Sequence, residues 1–538
     1  MPGLAKIRLY PRFGAAVFLV VSALIASPAY SQTAILPLQP FGTEDLDLGA
    51  GSQPELSLIL GVDLAGRIWP ATLSNERAGL SGGADLALDL RSTHFDLVAH
   101  LTARNDAKYG PALADLPGGD FGNVYFLMEE GGLRFKADVL QFAAGRFRHY
   151  DVVDTPYSLF VNSSGVPATM MSLAYDDGFF FYESRWIGLT HDSTMTTEAW
   201  GTVDPNTGSG FPDRGANVKV YGLRLSNGMR FGFQDAATYS LRYFDPEYFL
   251  NPIPQYFIQY GISTGGQPWA TGLDDGNMIG AFWEWKREDG LSFVAQALMD
   301  DFNLGGLFGS VMNPNQLAFS VGGRMETSAG RFAVYVAGAT KFTFEPVMTG
   351  SDASAQAMSA YGYTYYPDTR FDYDRHAAGF QPSALEIEDN AIGYLYGQNN
   401  LAIRADWKGK VSAFDMSAAV EFRLMGDNSP ANPWHDAADQ GDLGTLWLDS
   451  AVLEKRIMCG FTAATQIGNW HFSGSVSAGV AFDSLELLPV DTSLQGSETW
   501  SKVDTDVWIY RPVAGNTRPL FKLSLGATYE LPFHKGVF

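Results

Sequence analysis

Near the C-terminus the chain reads Phe521-Lys522-Leu523-Ser524-Leu525-Gly526-Ala527-Thr528-Tyr529-Glu530-Leu531-Pro532-Phe533, and this stretch decides how the rest is read. Its odd positions are apolar or aromatic and its even positions, up to Glu530, are polar or glycine. Side chains alternate sides along an extended strand, so the stretch is a strand with one apolar face and one polar face. In a soluble sandwich the apolar face would meet a core. In a membrane barrel it meets lipid, and the polar face lines a wet lumen. The chain ends on Phe538, an aromatic terminus of the kind expected of a substrate of the barrel-assembly machinery. Its phase differs, because Pro532 and Gly536 interrupt the run.

Residues 1–31 read as a signal peptide: Lys6, Arg8 and Arg12, an apolar run from Gly14 to Ala26, and a small-x-small site at Ala29-Tyr30-Ser31. Residues 32–54 lack periodicity and read as a periplasmic lead-in. No later apolar run is long enough for a membrane-spanning helix. The chain has 36 Lys and Arg against 59 Asp and Glu, three of the basic residues lying in the leader, and this argues against nucleic-acid binding. Cys459 is the only cysteine, so no internal disulfide is available. The mean hydropathy of -0.05 suits a barrel, in which half of every strand is polar.

Hairpin parity carries the reading through residues 55–538. Tyr221, Leu223 and Leu225 share a face, as do Met229, Phe231 and Phe233. Keeping those faces pure pairs Leu225 with Met229, which makes Ser226-Asn227-Gly228 a three-residue loop with Gly228 left-handed. Glu288-Asp289-Gly290 repeats the device and sets Trp285 opposite Phe293. At Gly468-Asn469 parity demands a two-residue turn, with Ile467 facing Trp470 and Cys459 facing Ala478. Glu129-Glu130-Gly131-Gly132 reads as a further turn, between strands Phe121–Glu129 and Leu133–Phe147. Long links at 243–277, 300–316, 345–399, 425–445 and 483–518 alternate with these short ones. The expectation is an all-β transmembrane antiparallel barrel of about 18 strands, with short periplasmic turns and long extracellular loops, in the outer membrane of a diderm bacterium. The competing architecture is a secreted all-β protein.

Chemical motifs are mostly absent. There is no HExxH, Walker or GxSxG pattern, and His191-Asp192-Ser193 places neighbouring side chains on opposite sides of an extended chain. No enzyme, metal or cofactor is expected. Charges of both signs fall on the lumen face: Asp96, Arg104, Arg224, Arg230, Glu284, Lys286, Arg324, Glu326, Arg404 and Asp406. They read as a hydrated wall or as a path for a hydrophilic solute. The loops offer flat aromatics beside carboxylates, a pairing that suits sugars, since rings stack on C–H faces and acids accept hydroxyl protons. The candidates are Tyr361, Tyr363, Tyr365, Asp368, Phe371, Asp372, Tyr373 and Trp269. Loop 345–399 is expected to cap the lumen and to offer part of that surface.

Residues 145–302 resemble, in order and type, the Wzi-like capsule-assembly family of outer-membrane barrels. The matching pieces are Gly145-Arg146, the run from Ser158 to Pro167 (SLFVNSSGVP), Phe180-Phe181-Tyr182-Glu183, Leu250-Asn251-Pro252, Ala295-Gln296 and Asp300-Asp301-Phe302. The resemblance implies an 18-strand barrel that binds surface polysaccharide and helps to anchor it outside the cell. Its partners would be that polysaccharide and outer-membrane lipid. The alternative from the residues alone is a general porin for small hydrophilic solutes.

Overall fold

The computed structural model describes residues 55–68, 79–92, 94–106, 108–109, 116–163, 165–192, 213–240, 242–259, 275–301, 315–344, 363–366, 387–427, 429–430, 445–489 and 508–533. The expected signal peptide, the lead-in and Phe538 lie outside these residues.

The C-terminal strand β21 (Arg518–Phe533) pairs on one side with β18 (Trp470–Phe482) and on the other with β1 (Glu55–Ile68). The register of the second pairing runs from Leu56 opposite Phe533 to Ile68 opposite Phe521, which closes the sheet on itself. From β1 the wall continues through β2 (Gly79–Arg91), β3 (Phe95–Arg104), β5 (Val124–Ala137), β6 (Leu140–Phe147), β7 (Ala168–Asp176), β8 (Phe180–Thr190), β9 (Arg214–Arg224) and β10 (Met229–Ser240). It then runs through β11 (Gly276–Lys286), β12 (Leu291–Asp301), β13 (Gln316–Thr327), β14 (Gly330–Ala339), β15 (Asn400–Val411), β16 (Phe414–Met425) and β17 (Glu454–Ile467) to β18. This is a closed antiparallel barrel of 18 strands. A short strand, β4 (Gly118–Phe121), folds onto the start of β5, and β19 (Leu485–Pro489) and β20 (Trp508–Pro512) form a separate ribbon.

Burial is inverted relative to a soluble protein. On β21 Leu525 is 53% exposed while Ser524 is 6% exposed. Leu60, Val62 and Leu64 of β1 are exposed, whereas Asp85 and Asp89 of β2 are buried. An apolar exterior around a polar interior is stable only where the exterior meets hydrocarbon, so the barrel is a transmembrane one.

The three hairpin registers read from parity are present. Leu225 N–H donates to Met229 O across a loop in which Gly228 has φ 75°; Trp285 faces Phe293, with Gly290 at φ 81°; and Ile467 faces Trp470 across Gly468-Asn469. The Glu-Glu-Gly-Gly turn is not. Residues 129–132 lie within β5, and the chain reverses at Asp138-Val139 instead. The pairing with β3 slips between His100 and Leu101, because Glu130 pairs with His100 and Met128 with Leu101. The extra residue makes a bulge, and the bulge turns two consecutive carboxylates inward. Glu129 accepts the Tyr109 hydroxyl at 3.1 Å, and Glu130 accepts the Arg148 N–H at 2.9 Å.

Candidate functional site

All ten charged residues read as lumen-lining lie on the inward parity, and most are paired there. Arg104 meets Asp85 at 3.0 Å, Lys136 meets Asp96 at 3.0 Å, Arg404 meets Asp406 at 2.8 Å, Arg230 bonds Glu284, and Arg224 bonds Asp176. Arg324 binds Asp154 at 2.7 Å; Lys286 and Glu326 stand near the short-turn end.

Asp154 belongs to the link between β6 and β7, residues 148–167, and this link runs inside the barrel. Leu159, Phe160 and Val161 are buried in one apolar cluster with Ile187, Val218, Val220 and Phe282 of the inner wall. Asp151 is its anchor. Its carboxylate accepts from Gln234 of β10 at 2.6 Å, from Gln296 of β12 at 2.9 Å, and from the N–H groups of Val152, Phe160 and Val161. Gln296 also accepts the Leu159 N–H at 2.8 Å. Arg185 donates to Tyr150 O and Arg230 to Val152 O. The link is therefore a plug tied to the wall by side chains whose hydrogen-bonding groups would otherwise be stranded in a buried place. Burial raises the Asp151 carboxyl above its ordinary value of 3.8. The same burial, beside Arg185 and Arg146, holds the His149 imidazole well below its ordinary 6.5, so His149 is neutral when the plug is docked.

A second inward segment, 387–399, lies on the first. Asn162 donates to Glu388 O at 2.7 Å, and Val166 N–H donates to Asp389 O. Of the loop residues proposed to meet sugar, Tyr363 and Tyr365 are described, and both are buried in this packing. The Tyr363 hydroxyl donates to Phe160 O at 2.9 Å, and its ring stacks on Phe344. Tyr365 packs against the His149 ring. Tyr361, Asp368, Phe371, Asp372, Tyr373 and Trp269 lie outside the described residues.

Between the plug and the wall of β14–β17 remains a cavity of about 290 Å³. Its wall side carries Arg331, Tyr335, Arg404, Asp406, Lys408, Glu421 and Arg423, and its plug side Asp154, Tyr157, Glu388 and Tyr396. Glu421 accepts both the Tyr157 hydroxyl (2.8 Å) and the Tyr396 hydroxyl (2.7 Å), and the Arg423 guanidinium lies 3.9 Å from the Tyr396 ring centre. Burial and the Glu421 charge push the Tyr157 hydroxyl up, and burial does the same for Tyr396, so both stay protonated donors. Arg331 and Lys408 stand directly opposite each other across the β14–β15 pair. Hydroxyl-accepting carboxylates, planar rings and cationic donors thus line one small volume, near the lower end of the ~300–1,000 Å³ usual for small-ligand sites. Arg404 and Asp406 were read as lumen-lining from strand parity, and Glu421 and Arg423 share the inward parity on the paired β16. Tyr157, Asp154 and Tyr396 come from aperiodic links and carried no such signal.

Elsewhere among the described residues, His191, Asp192 and Asp213 meet at the long-loop end. His191 Nδ1 is 2.9 Å from Asp213 and its Nε2 is 3.5 Å from Asp192, so each ring nitrogen faces a different carboxylate.

No protein-family model matches the chain, and no curated protein matches it. Among solved structures it is similar to Wzi of Escherichia coli, described as an outer-membrane protein involved in group 1 capsule assembly and a carbohydrate-binding β-barrel. The identity is 10% and the TM-score 0.46, over 88% of this chain and 84% of that one. It is also similar to OccK8 (OprE) of Pseudomonas aeruginosa, with 11% identity and a TM-score of 0.44 over 90% and 99%. OccAB2 of Acinetobacter baumannii gives 11% and 0.42 over 90% and 98%.

Proposed function

We propose that this is an outer-membrane barrel of a diderm bacterium that holds a surface polysaccharide at its long-loop, extracellular end rather than passing solutes. The observation that carries the reading is the plug. Loop 148–167 is hydrogen-bonded to β8, β10, β12 and β13 through Arg185, Gln234, Gln296 and Arg324, which fills the space a general pore would keep open. The stretch that carries the resemblance to capsule-assembly barrels, Ser158 to Pro167, belongs to that plug. A sugar residue fits the remaining cavity chemically. The Tyr335 ring offers a stacking face, Asp406 accepts hydroxyls, and Arg331, Arg404 and Lys408 donate to ring and carboxyl oxygens.

The test is binding of the producing organism's extracted surface polysaccharide to the purified protein in detergent, by calorimetry. Wild type binds. Arg404→Gln with Asp406→Asn, which alters the cavity wall and leaves the plug anchors in place, weakens binding by about tenfold, the loss of roughly one charge-assisted hydrogen bond. No binding by wild type, or unchanged binding by the double variant, refutes the reading.

The second reading, a porin, is favoured by one feature. The cavity wall carries cations from Arg331, near the short-turn end, to Arg423, near the long-loop end, which in this reading line a track for solute beside the plug. Conductance separates the two.

A further inference from the structure

The link after β10 does not stand over the barrel mouth; its described part, 242–259, lies against the outside of the wall. Parity fixes the side. On β9, Ala216, Val218 and Val220 belong to the cluster around the plug, so Asn217, Lys219 and Tyr221 point outward. On β10, Gln234 reaches Asp151 inside, so Asp235 points outward. Following paired residues across the outer wall gives Leu173, Ser184, Lys219, Asp235, Ile279, Met299 and Leu317. This row is apolar at both ends and polar for three strands in the middle. Those three side chains, Ser184, Lys219 and Asp235, are 0% exposed because the segment covers them.

The cover is built for a place without water. Ser184 donates to Phe249 O at 2.7 Å, Lys219 donates to Asn251 O and Ile253 O at 2.7 and 2.8 Å, and Tyr221 donates to Pro252 O at 2.9 Å. Gln255 N–H donates to Asp235, and the Gln255 side chain reaches the Asn217 and Asp235 carbonyls. Pro246, Pro252 and Pro254 remove three N–H groups that would need partners. Two short helices, Pro246–Leu250 and Gln255–Gln259, internalise others, and Asp245 caps the first. Irregular backbone is tolerated at membrane depth only where protein buries it, and here wall side chains take up the carbonyls of Phe249, Asn251, Pro252 and Ile253. The sheet makes room for it. A Cβ on Gly188 would stand 2.3 Å from the Tyr243 hydroxyl oxygen, and one on Gly215 2.3 Å from the Tyr243 carbonyl oxygen.

The segment's free face carries Leu250, Ile253, Tyr256 and Phe257, all exposed, and its one exposed charge, Glu247, sits in the first turn of the first helix. It is flanked in the same paired row by exposed Leu173, so it continues the lipid-facing belt. We infer that residues 246–257 form a strap embedded in the membrane, whose outer face meets the acyl chains of the bilayer in place of the polar wall it covers.

Site-directed spin labelling tests this. In a Cys459→Ser background, a nitroxide is attached at Ile253→Cys or Phe257→Cys, and the protein is reconstituted in phosphatidylethanolamine–phosphatidylglycerol vesicles. Leu525→Cys is the belt reference and Phe121→Cys the loop-end reference. Heat-modifiable migration on gels verifies that each variant is a folded barrel. The expected result is accessibility to oxygen over a nickel chelate at both strap sites that matches Leu525 and exceeds Phe121. Preference for the nickel chelate would place the strap in water and overturn the inference. Exclusion of both probes would mean that a second protein surface covers it, which also overturns the assignment to lipid.

Discussion

Two links leave the same end of the barrel and go opposite ways. Loop 148–167 enters the lumen, and segment 242–259 lies down the outside. Both cover polar wall residues and satisfy them with backbone carbonyls: Tyr150 O and Val152 O inside, Asn251 O and Ile253 O outside. The difference lies in what each leaves uncovered. The plug turns Asp154 and Tyr157 toward a polar cavity, and the strap turns Leu250, Ile253 and Phe257 toward the surroundings. The polarity of a loop's second face, more than that of its first, decides which side of a barrel it can occupy.

The contrast is broken most severely by excising residues 244–258. Lys219 and Asp235 would then face hydrocarbon, and a lysine at mid-wall alone costs roughly 2–4 kcal/mol in a barrel. With Asp235 added, urea unfolding in lipid should show a loss of about 4 kcal/mol or more. Lys219→Met with Asp235→Leu in the excised protein should restore most of it. Equal stability with and without the strap would mean that the polar patch needs no cover.

Inside the barrel, Asp151→Ala strands two glutamine amides and three backbone N–H groups. The plug should loosen by about 3 kcal/mol, on the basis of roughly 1–3 kcal/mol for each buried group left unsatisfied and partial rescue by water. Asp151→Asn, which keeps an acceptor, should lose less. Trypsin cleavage at Arg148 in the folded barrel reads both. Insensitivity of that site to Asp151→Ala would remove Asp151 as the anchor.

A smaller effect comes from pH. The docked plug keeps His149 neutral, with a pKa below the ordinary 6.5, so the docked state binds fewer protons than the released one. Docking is then unaffected by this residue above pH 6.5 and weakens below it, by up to about 1.4 kcal/mol per pH unit. Asp151, shifted upward, acts in the opposite sense; comparison of wild type with His149→Phe between pH 7 and 5 isolates the histidine. Identical pH profiles for the two proteins would contradict the assignment.

Strand faces were legible wherever alternation was clean, as in Phe521–Phe533, and turn registers wherever a glycine fixed parity, as at Gly228, Gly290 and Gly468. The bulge at Glu129-Glu130 was misread because its composition is that of a turn, while its cause lies in a partner strand and in Arg148. The plug was illegible for a related reason. Asp151 finds Gln234 and Gln296 far along the chain, and residues 148–167 have no period. The strap did leave a trace. Extending the apolar face of Tyr221 and Leu223 back along β9 puts Lys219 on the lipid side, and extending that of Phe231 and Phe233 puts Asp235 beside it. Two mid-strand charges on that face require a cover, and aromatic-rich, proline-rich 243–259 was the nearest one.

The central claim is that loop 148–167 occupies the lumen in the working protein, and planar-bilayer recording tests it most directly. Wild type should be silent, and a variant in which residues 149–166 are replaced by a short Gly-Ser link should conduct, at a level still narrowed by the second inward segment, 387–399. Large, steady conductance by wild type, unchanged on removing the loop, would contradict the account and make the protein a porin.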